Sequence, residues 1–278
     1  MSKAFLKKVW ETALGVLCLL LGCVLLFPLF YGLMGAFKTP AEFIAYPPTV
    51  LPQSFANLQN FEAVFTQAPM LRYFWNTLLV STLSAGVRMM LALLAAYAFA
   101  FYEFKGKRFL FFLILATMML PADTLVITNY QTVSRLGLLD TYLGIAVVSF
   151  VGASQMFMLR QQFMASPAPI RDAALIDGCG DVRFIAFILT PMSSSVLATL
   201  FLQSFITQWN AYLWPLLVTN KTEMRTVQIG ITMLTTLEGT NYETVLAGAA
   251  VVVIPAALLF LVLRKSITRT VGGGAIVG

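Results

Sequence analysis

Ser166-Pro-Ala-Pro-Ile-Arg-Asp-Ala-Ala-Leu-Ile-Asp-Gly178 lies between two long apolar runs, 141–160 and 185–207, and is polar enough to leave the medium those runs occupy. Ser166 is placed to cap a helix, and Pro167 and Pro169 fall in its first turn, where a missing N–H costs little. Ile170, Ala173 and Ala174 recur at i, i+3 and i+4, one narrow face of small side chains. Gly178 supplies the stop, since glycine takes positive φ without a Cβ penalty. A helix of about two turns is too short to be stable alone, so it has to dock on something, either a partner whose backbone the alanines admit or the lipid headgroups as an ordinary interfacial helix.

The flanking runs identify the solvent. Of 278 residues, 59% are hydrophobic and 11% charged, whereas a soluble domain carries about a quarter charged residues. Water is therefore not the solvent for most of this surface. A bilayer crossing needs about 20 apolar residues, and six segments supply them: 13–36, 74–101, 109–128, 141–160, 185–207 and 245–263. They are apolar all round, whereas barrel strands alternate. The first has no small-residue cleavage site close behind a short apolar core and reads as a retained span. The expected fold is all-α: a polytopic membrane protein with six transmembrane helices, residues 1–278 forming one transmembrane domain, and the loop 161–184 outside the bilayer.

Charge placement sets the orientation. With the N-terminus inside, the inner segments hold Lys3, Lys7, Lys8, Lys105, Lys107, Arg108, Arg160, Arg171, Arg183, Arg264, Lys265 and Arg269. The outer segments hold only Lys38, Arg72, Arg135, Lys221 and Arg225, and Arg88 lies within a span. That imbalance puts both termini in the cytoplasm. The basic residues sit at the ends of apolar runs rather than in a stripe with exposed aromatics, so a nucleic-acid partner is excluded. Histidine is absent, which removes His-based acid–base catalysis, Ser-His triads and imidazole metal sites. Cys18, Cys23 and Cys179 form neither a zinc spacing nor a disulfide framework. No catalytic residue and no metal site is expected.

Asp172-Ala173-Ala174-x-x-Asp177-Gly178, followed by Ile188-Leu189-Thr190-Pro191, resembles the cytoplasmic coupling loop of ATP-binding-cassette importer permeases, Glu-Ala-Ala-x-x-x-Gly and then Ile-x-Leu-Pro. The Asp-Gly form, the run Trp209-Asn210-Ala-Tyr212-Leu-Trp214-Pro215, Met119-Leu120-Pro121 and the ending Gly274-Ala275-Ile276-x-Gly278 are similar to the carbohydrate-uptake branch, which includes maltose-type and glycerol-phosphate-type permeases. The likeness runs from about residue 72 to the end. Asp172 stands where that family usually has Glu, one methylene shorter, and Cys179 where Ala is usual.

The resemblance implies a type I importer permease fold with a cytoplasmic coupling helix between the fourth and fifth spans. Asp172, Ala173, Ala174, Asp177 and Gly178 would then form the ATPase-coupling element. The implied partners are a second permease subunit, two cytoplasmic ATPase subunits, an extracytoplasmic solute-binding protein facing the outer stretch 219–243, and the lipid bilayer of a prokaryotic inner membrane. The chain itself binds no cofactor, and ATP with Mg²⁺ belongs to the ATPase subunits. A P-loop needs Gly-x-x-x-x-Gly-Lys-Ser/Thr. The only Gly-Lys pair, Gly106-Lys107, has Phe101 at the first glycine position and Arg108 next, so the chain is not itself an enzyme.

Polar residues within the apolar runs are the candidates for the solute pathway. Arg88 and Asp123 lie 17 and 18 residues from the turn at Lys105, hence about 25 Å from it on either side at 1.5 Å per residue. Either they pair and hold the hairpin together, or Arg88 meets a hydroxyl or phosphate of the solute. Trp209, Asn210 and Tyr212, and likewise Asn129 and Gln131, fall at outer span ends. They read either as anchors at headgroup depth or as solute contacts. A sugar or oligosaccharide is the solute that the family branch implies, with sn-glycerol 3-phosphate the alternative. A self-sufficient secondary transporter would need acidic ion sites in the spans and inverted repeats; only Asp123 qualifies, and no repeat is visible.

Overall fold

A computed structural model describes the backbone of residues 3–166, 168–236 and 239–273, and side chains within it except at 3–6, 8, 9, 122, 123, 168, 235, 236, 239, 240 and 265–273. The helices in chain order are α1 Lys3–Gly35, α2 Pro40–Ile44, α3 Gln59–Gln67, α4 Met70–Phe101, α5 Lys107–Thr117, α6 Val126–Arg135, α7 Tyr142–Ala146, α8 Ala153–Met164 and α9 Ala168–Ile176. They continue with α10 Asp181–Phe184, α11 Thr190–Met192, α12 Ser194–Trp209, α13 Leu213–Val218, α14 Val227–Met233 and α15 Tyr242–Gly273. A two-residue antiparallel pairing, Thr235–Thr236 with Gly239–Thr240, is the strand content among the described residues. Among the described residues, three helices are long and apolar enough to cross a membrane: Trp10–Gly35, Met70–Phe101 and Tyr242–Arg264. Two bent pairs, Tyr142–Ser149 with Ala153–Met164 and Asp181–Met192 with Ser194–Trp209, raise the number to five if each pair is one span.

The chain folds as two compact units, Met1–Pro69 with Ile231–Val253, and Met70–Gly230 with Ile254–Gly278. In the first unit the apolar face of α1 is almost wholly exposed, as expected of a helix whose solvent is lipid. The polar stretch after it forms short helices. Thr39 and Glu42 close a capping box on α2: the Glu42 N–H donates to Thr39 Oγ1 (3.3 Å) and the Thr39 N–H to Glu42 Oε2 (2.8 Å). Lys38 is buried, with Nζ donating to the Thr49 carbonyl and lying 5.1 Å from the Tyr31 ring centre. Asn60 donates to the carbonyls of Ala36 and Lys38, both at 2.8 Å.

The second unit is organised on α4, which packs against α8 and α12. Met89, Ala92, Ala96, Met156, Leu159 and Leu200 belong to the buried cluster between these helices. Alanines on α4 allow close approach, the way membrane helices pack when lipid removes any hydrophobic drive between them.

The segment 109–128 is not the single helix expected from its hydropathy. α5 stops at Thr117 after 11 residues, about 16 Å at 1.5 Å per residue, or half the bilayer core. Met118–Leu120 turn, Pro121 supplies no N–H and disfavours a helical Leu120, and a 3₁₀ turn over Ala122–Leu125 leads into α6. The runs 141–160 and 185–207 are also not straight. The first breaks by 51° between Ser149 and Ala153, and the second bends by 86° at Ser193. Before that bend Ile185–Leu189 form a π turn, Thr190 Oγ1 donates to the Ile185 carbonyl (2.8 Å), and Pro191 follows. A π turn with a proline behind it is a known cause of sharp bending.

Candidate functional site

The polar stretch between the bent pairs does form a helix, α9, and it ends as its glycine requires. Gly178 has φ +70°. The Cys179 N–H donates to the Ala174 carbonyl (2.8 Å) and the Gly178 N–H to the Leu175 carbonyl (3.0 Å), the two bonds of a Schellman stop. At the other end Ser166 Oγ donates back to the Gln162 carbonyl of α8 (3.3 Å), and Pro167 lies outside the described residues.

The face of α9 differs from the one expected. Ala174 is buried, and Ile170 packs against the same core as Phe163, Phe184 and Ala174. Ala173 points out with Asp172 and Asp177, and Ile176 is 86% exposed. The inward line is therefore Ile170–Ala174, an i, i+4 pair, and the outward one runs through Asp172, Ala173 and Ile176. Spacing alone groups Ala173 with Ala174; only the neighbouring helix ends decide which one faces in.

Three cations meet the carbonyls at the end of α4, Arg171 from α9, Arg160 from α8 and Lys107 from α5. Arg171 Nη1 donates to the Phe101 carbonyl (2.9 Å), with its guanidinium 4.9 Å from the Phe101 ring centre. Arg160 Nε donates to the Phe99 carbonyl (3.1 Å) and Lys107 Nζ to the Tyr102 carbonyl (2.7 Å). The last carbonyls of a helix have no partner within it and carry its negative end, so cations belong there. At the same end of α4, the hydroxyls of Tyr97 and Tyr102 donate to Asp181 Oδ1 and Oδ2 at the start of α10. The carboxylate next door pushes the Tyr102 hydroxyl above the usual phenol range. The end of α4 thus holds α9 through Arg171 and α10 through Asp181, and Ile170 and Ala174 seat α9 on the core beside Phe184. Sidedness counting records Arg160 and Arg171 as inner charges but does not show that they hold helix ends.

Arg88 lies on α4 beside the break of the bent pair α7–α8. Its Nε donates to the Ser149 carbonyl (2.6 Å), and Ser149 Oγ donates to Gln208 Oε1 (2.6 Å). Gln155 Nε2 donates to Ser204 Oγ (3.3 Å) close by. A carbonyl freed by a helix break is costly in lipid unless something pairs with it, and Arg88 does so. The Asp123 side chain lies outside the described residues. Ser149, Gln155, Ser204 and Gln208 were absent from the sequence candidates, although each is a polar residue inside or at the end of an apolar run.

The outer candidates separate. Trp209 is buried, stacked on Phe205 (5.6 Å) and edge-on to Phe74 (5.6 Å). Asn210 and Tyr212 are exposed, and Asn210 Oδ1 accepts from Gln228 (3.2 Å). Gln131 is exposed and Asn129 half-buried. The loop beyond is pinned twice. Asn76 Nδ2 donates to the carbonyls of Glu223 (2.8 Å) and Arg225 (2.9 Å). Asp140 Oδ1 accepts the N–H groups of Asn220 (2.6 Å) and Lys221 (2.8 Å), and those amides, Lys221's first, hold its carboxyl below the usual range.

Long apolar helices, with a polar helix tied to the end of α4 through Arg171, fit the membrane-embedded component of a transporter. The chain belongs to the binding-protein-dependent transport system inner membrane components, whose family pattern matches residues 88–271. It is a permease subunit of an ATP-binding-cassette importer. The sn-glycerol-3-phosphate transport system permease protein UgpE of Brucella abortus is 31% identical over 261 residues, covering 91% of this chain and 93% of the relative. The arabinooligosaccharides transport system permease protein AraQ of Halalkalibacterium halodurans is 30% identical over 254 residues, covering 90% and 91%. Among solved structures, a bacterial ABC transporter involved in import of the acidic polysaccharide alginate matches with a TM-score of 0.80 at 22% identity, covering 95% of this chain and 98% of that one. A second, in complex with an alginate pentasaccharide-bound periplasmic protein, matches with a TM-score of 0.67 at 16% identity, covering 96% and 97%.

Proposed function

We propose that α9 is the coupling helix of this permease and is gripped, through Asp172, Ala173 and Ile176, by a separate cytoplasmic ATPase subunit. The observation that carries this reading is the division of the helix. Ile170 and Ala174 are committed to the chain's own core, while the opposite line is exposed and includes an isoleucine at 86% exposure. A push on that line reaches α4 through Arg171 and α10 through the docked core, so closure of two ATPase subunits becomes a movement of spans. Asp177 and Gly178 end the helix at the edge of the grip.

In this reading the chain crosses the membrane six times with both termini in the cytoplasm. α5 through α6 makes the third crossing, broken at Pro121, and the two bent pairs make the fourth and fifth. A second permease subunit supplies the other half of the path, and an extracytoplasmic binding protein docks on the pinned outer loop around Asn220–Arg225. ATP and Mg²⁺ are held by the ATPase subunits.

The solute is a sugar or oligosaccharide. Arg88, Asp123, Asn129, Gln131, Asn210 and Tyr212 are its candidate contacts, joined by Ser149, Gln155 and Gln208; the buried ring of Trp209 supports a packing role for that residue. A second reading, sn-glycerol 3-phosphate, is favoured by Arg88, a half-buried cation with no carboxylate partner among the described side chains. The test is uptake by vesicles holding the assembled importer, with neutral oligosaccharides and sn-glycerol 3-phosphate offered in turn. ATP-dependent uptake that requires the binding protein is expected. Uptake driven by an ion gradient through this chain alone would instead identify a secondary transporter. The purified chain by itself should hydrolyse no ATP.

A further inference from the structure

The tight turn between α4 and α5 closes one side of a cavity of about 560 Å³. Two kinds of surface meet there. Lys107, Arg108 and Arg160 line it against one carboxylate, Glu103. Lys107 Nζ is already paired with Glu103 (2.8 Å) and the Tyr102 carbonyl, and Arg160 uses Nε on Phe99 with its guanidinium 4.3 Å from the Phe111 ring centre. Arg108 is exposed, with its guanidinium 5.9 Å from the Phe112 ring centre. The cavity therefore keeps a net positive charge on Arg108 and Arg160. The second surface is apolar: Phe104, Phe109 and Phe112 line the same opening and are 40%, 69% and 56% exposed.

A small free anion would use the guanidinium groups and leave the phenylalanines bare. A purely apolar occupant would bury those groups unpaired, which is costly. We propose that this cavity binds an anionic phospholipid, with its headgroup phosphate on Arg108 and Arg160 and its acyl chains on Phe109 and Phe112. Guanidinium forks suit phosphate oxygens, and basic pockets between membrane helices on the cytoplasmic side are suited to such headgroups. The proposal rests on the reading that α4 and α5 are membrane-embedded and that their turn reaches a membrane surface.

The test uses the assembled importer, stripped of lipid and titrated with phosphatidylglycerol or with phosphatidylcholine of the same acyl chains, with bound lipid counted by native mass spectrometry. Phosphatidylglycerol binds more tightly, and Arg108→Gln removes about fivefold of that preference, the worth of one cation beside an anionic headgroup. Arg135→Gln, on α6 and outside the cavity, changes nothing. Equal affinity for both lipids, or a preference that survives Arg108→Gln, overturns the proposal. So does displacement of phosphatidylglycerol by inorganic phosphate alone, which would mark a site for free anions. A benzophenone side chain in place of Phe112 captures lipid; capture of a polypeptide of the complex would show that protein covers the cavity. Lys105→Cys separates the two readings. If a membrane-impermeant thiol reagent reaches it while the lipid arms fail, only the lipid site falls. If it is shielded from both sides, the placement of the turn falls too.

Discussion

Arg171 Nη1 donates to the carbonyl of Phe101 at 2.9 Å, joining the exposed helix α9 to the last residue of α4 across 70 positions of sequence. Its guanidinium also lies over the Phe101 ring. Loss of one charge-assisted hydrogen bond costs about 1.5–3 kcal/mol, so Arg171→Ala should loosen α9. Hydrogen exchange should show faster exchange at the amides of 171–177 than in the parent. Arg171→Lys keeps the charge without the planar fork or the stacking and should fall between.

Asp140 gives the outer loop a pH dependence. Its carboxyl titrates below the usual range in the folded chain because the amides of Lys221 and Asn220 donate to it. A depressed folded pKa contributes stability that is complete above the unfolded value, about 3.9, and is lost as pH falls through the folded value. Amide protection at Asn220 and Lys221 should therefore stay constant from neutral pH down to the ordinary carboxylate range and fall only below it. Asp140→Ala should show weak protection at every pH.

Gly144 is closed to any side chain. A Cβ there would lie 2.0 Å from the Leu138 carbonyl oxygen, a backbone atom that cannot swing away. Gly144→Ala should destabilise the assembled importer by at least about 1–3 kcal/mol, the usual cost of overpacking. Gly86, in the middle of α4, has nothing within 4 Å of the same point, so Gly86→Ala should be neutral or stabilising by about 0.5–1 kcal/mol. Thermal unfolding of the two variants side by side checks the contrast.

Arg88→Ala leaves the Ser149 carbonyl unpaired at the break of a bent span, with an expected cost of about 1–3 kcal/mol. Arg88→Lys should recover part of it. If Arg88 also meets an anionic solute, Arg88→Ala should abolish uptake of sn-glycerol 3-phosphate from complexes that still assemble, and an uncharged sugar should be spared.

Apolarity is a local property, so the all-helical, membrane-type character of the chain, the polar loop and the glycine stop at Gly178 are legible in the sequence. Bends are not local in the same way. Pro121 marks a weak point, but the short length of α5 depends on how α5 packs. The 86° bend at Ser193 needs the π turn over Ile185–Leu189 and the Thr190 hydroxyl as well as Pro191. Spacing puts Ala173 and Ala174 on one face, and only packing separates them. Arg160 and Arg171 counted toward orientation, yet their partners are carbonyls about 60 to 70 residues upstream, and backbone carbonyls carry no sequence signal. Trp209 and Tyr212 are equivalent by sequence; Phe74 and Phe205 bury Trp209, while Tyr212 is exposed.

The central claim is that the outward line of α9 is the surface the ATPase grips. A photo-crosslinking side chain placed in turn at Ala173, Ala174 and Ile176 of the purified importer tests it directly. The account predicts capture of the ATPase subunit from positions 173 and 176 and a link within this chain's own core from 174. Capture of lipid alone from 173 and 176 would contradict it.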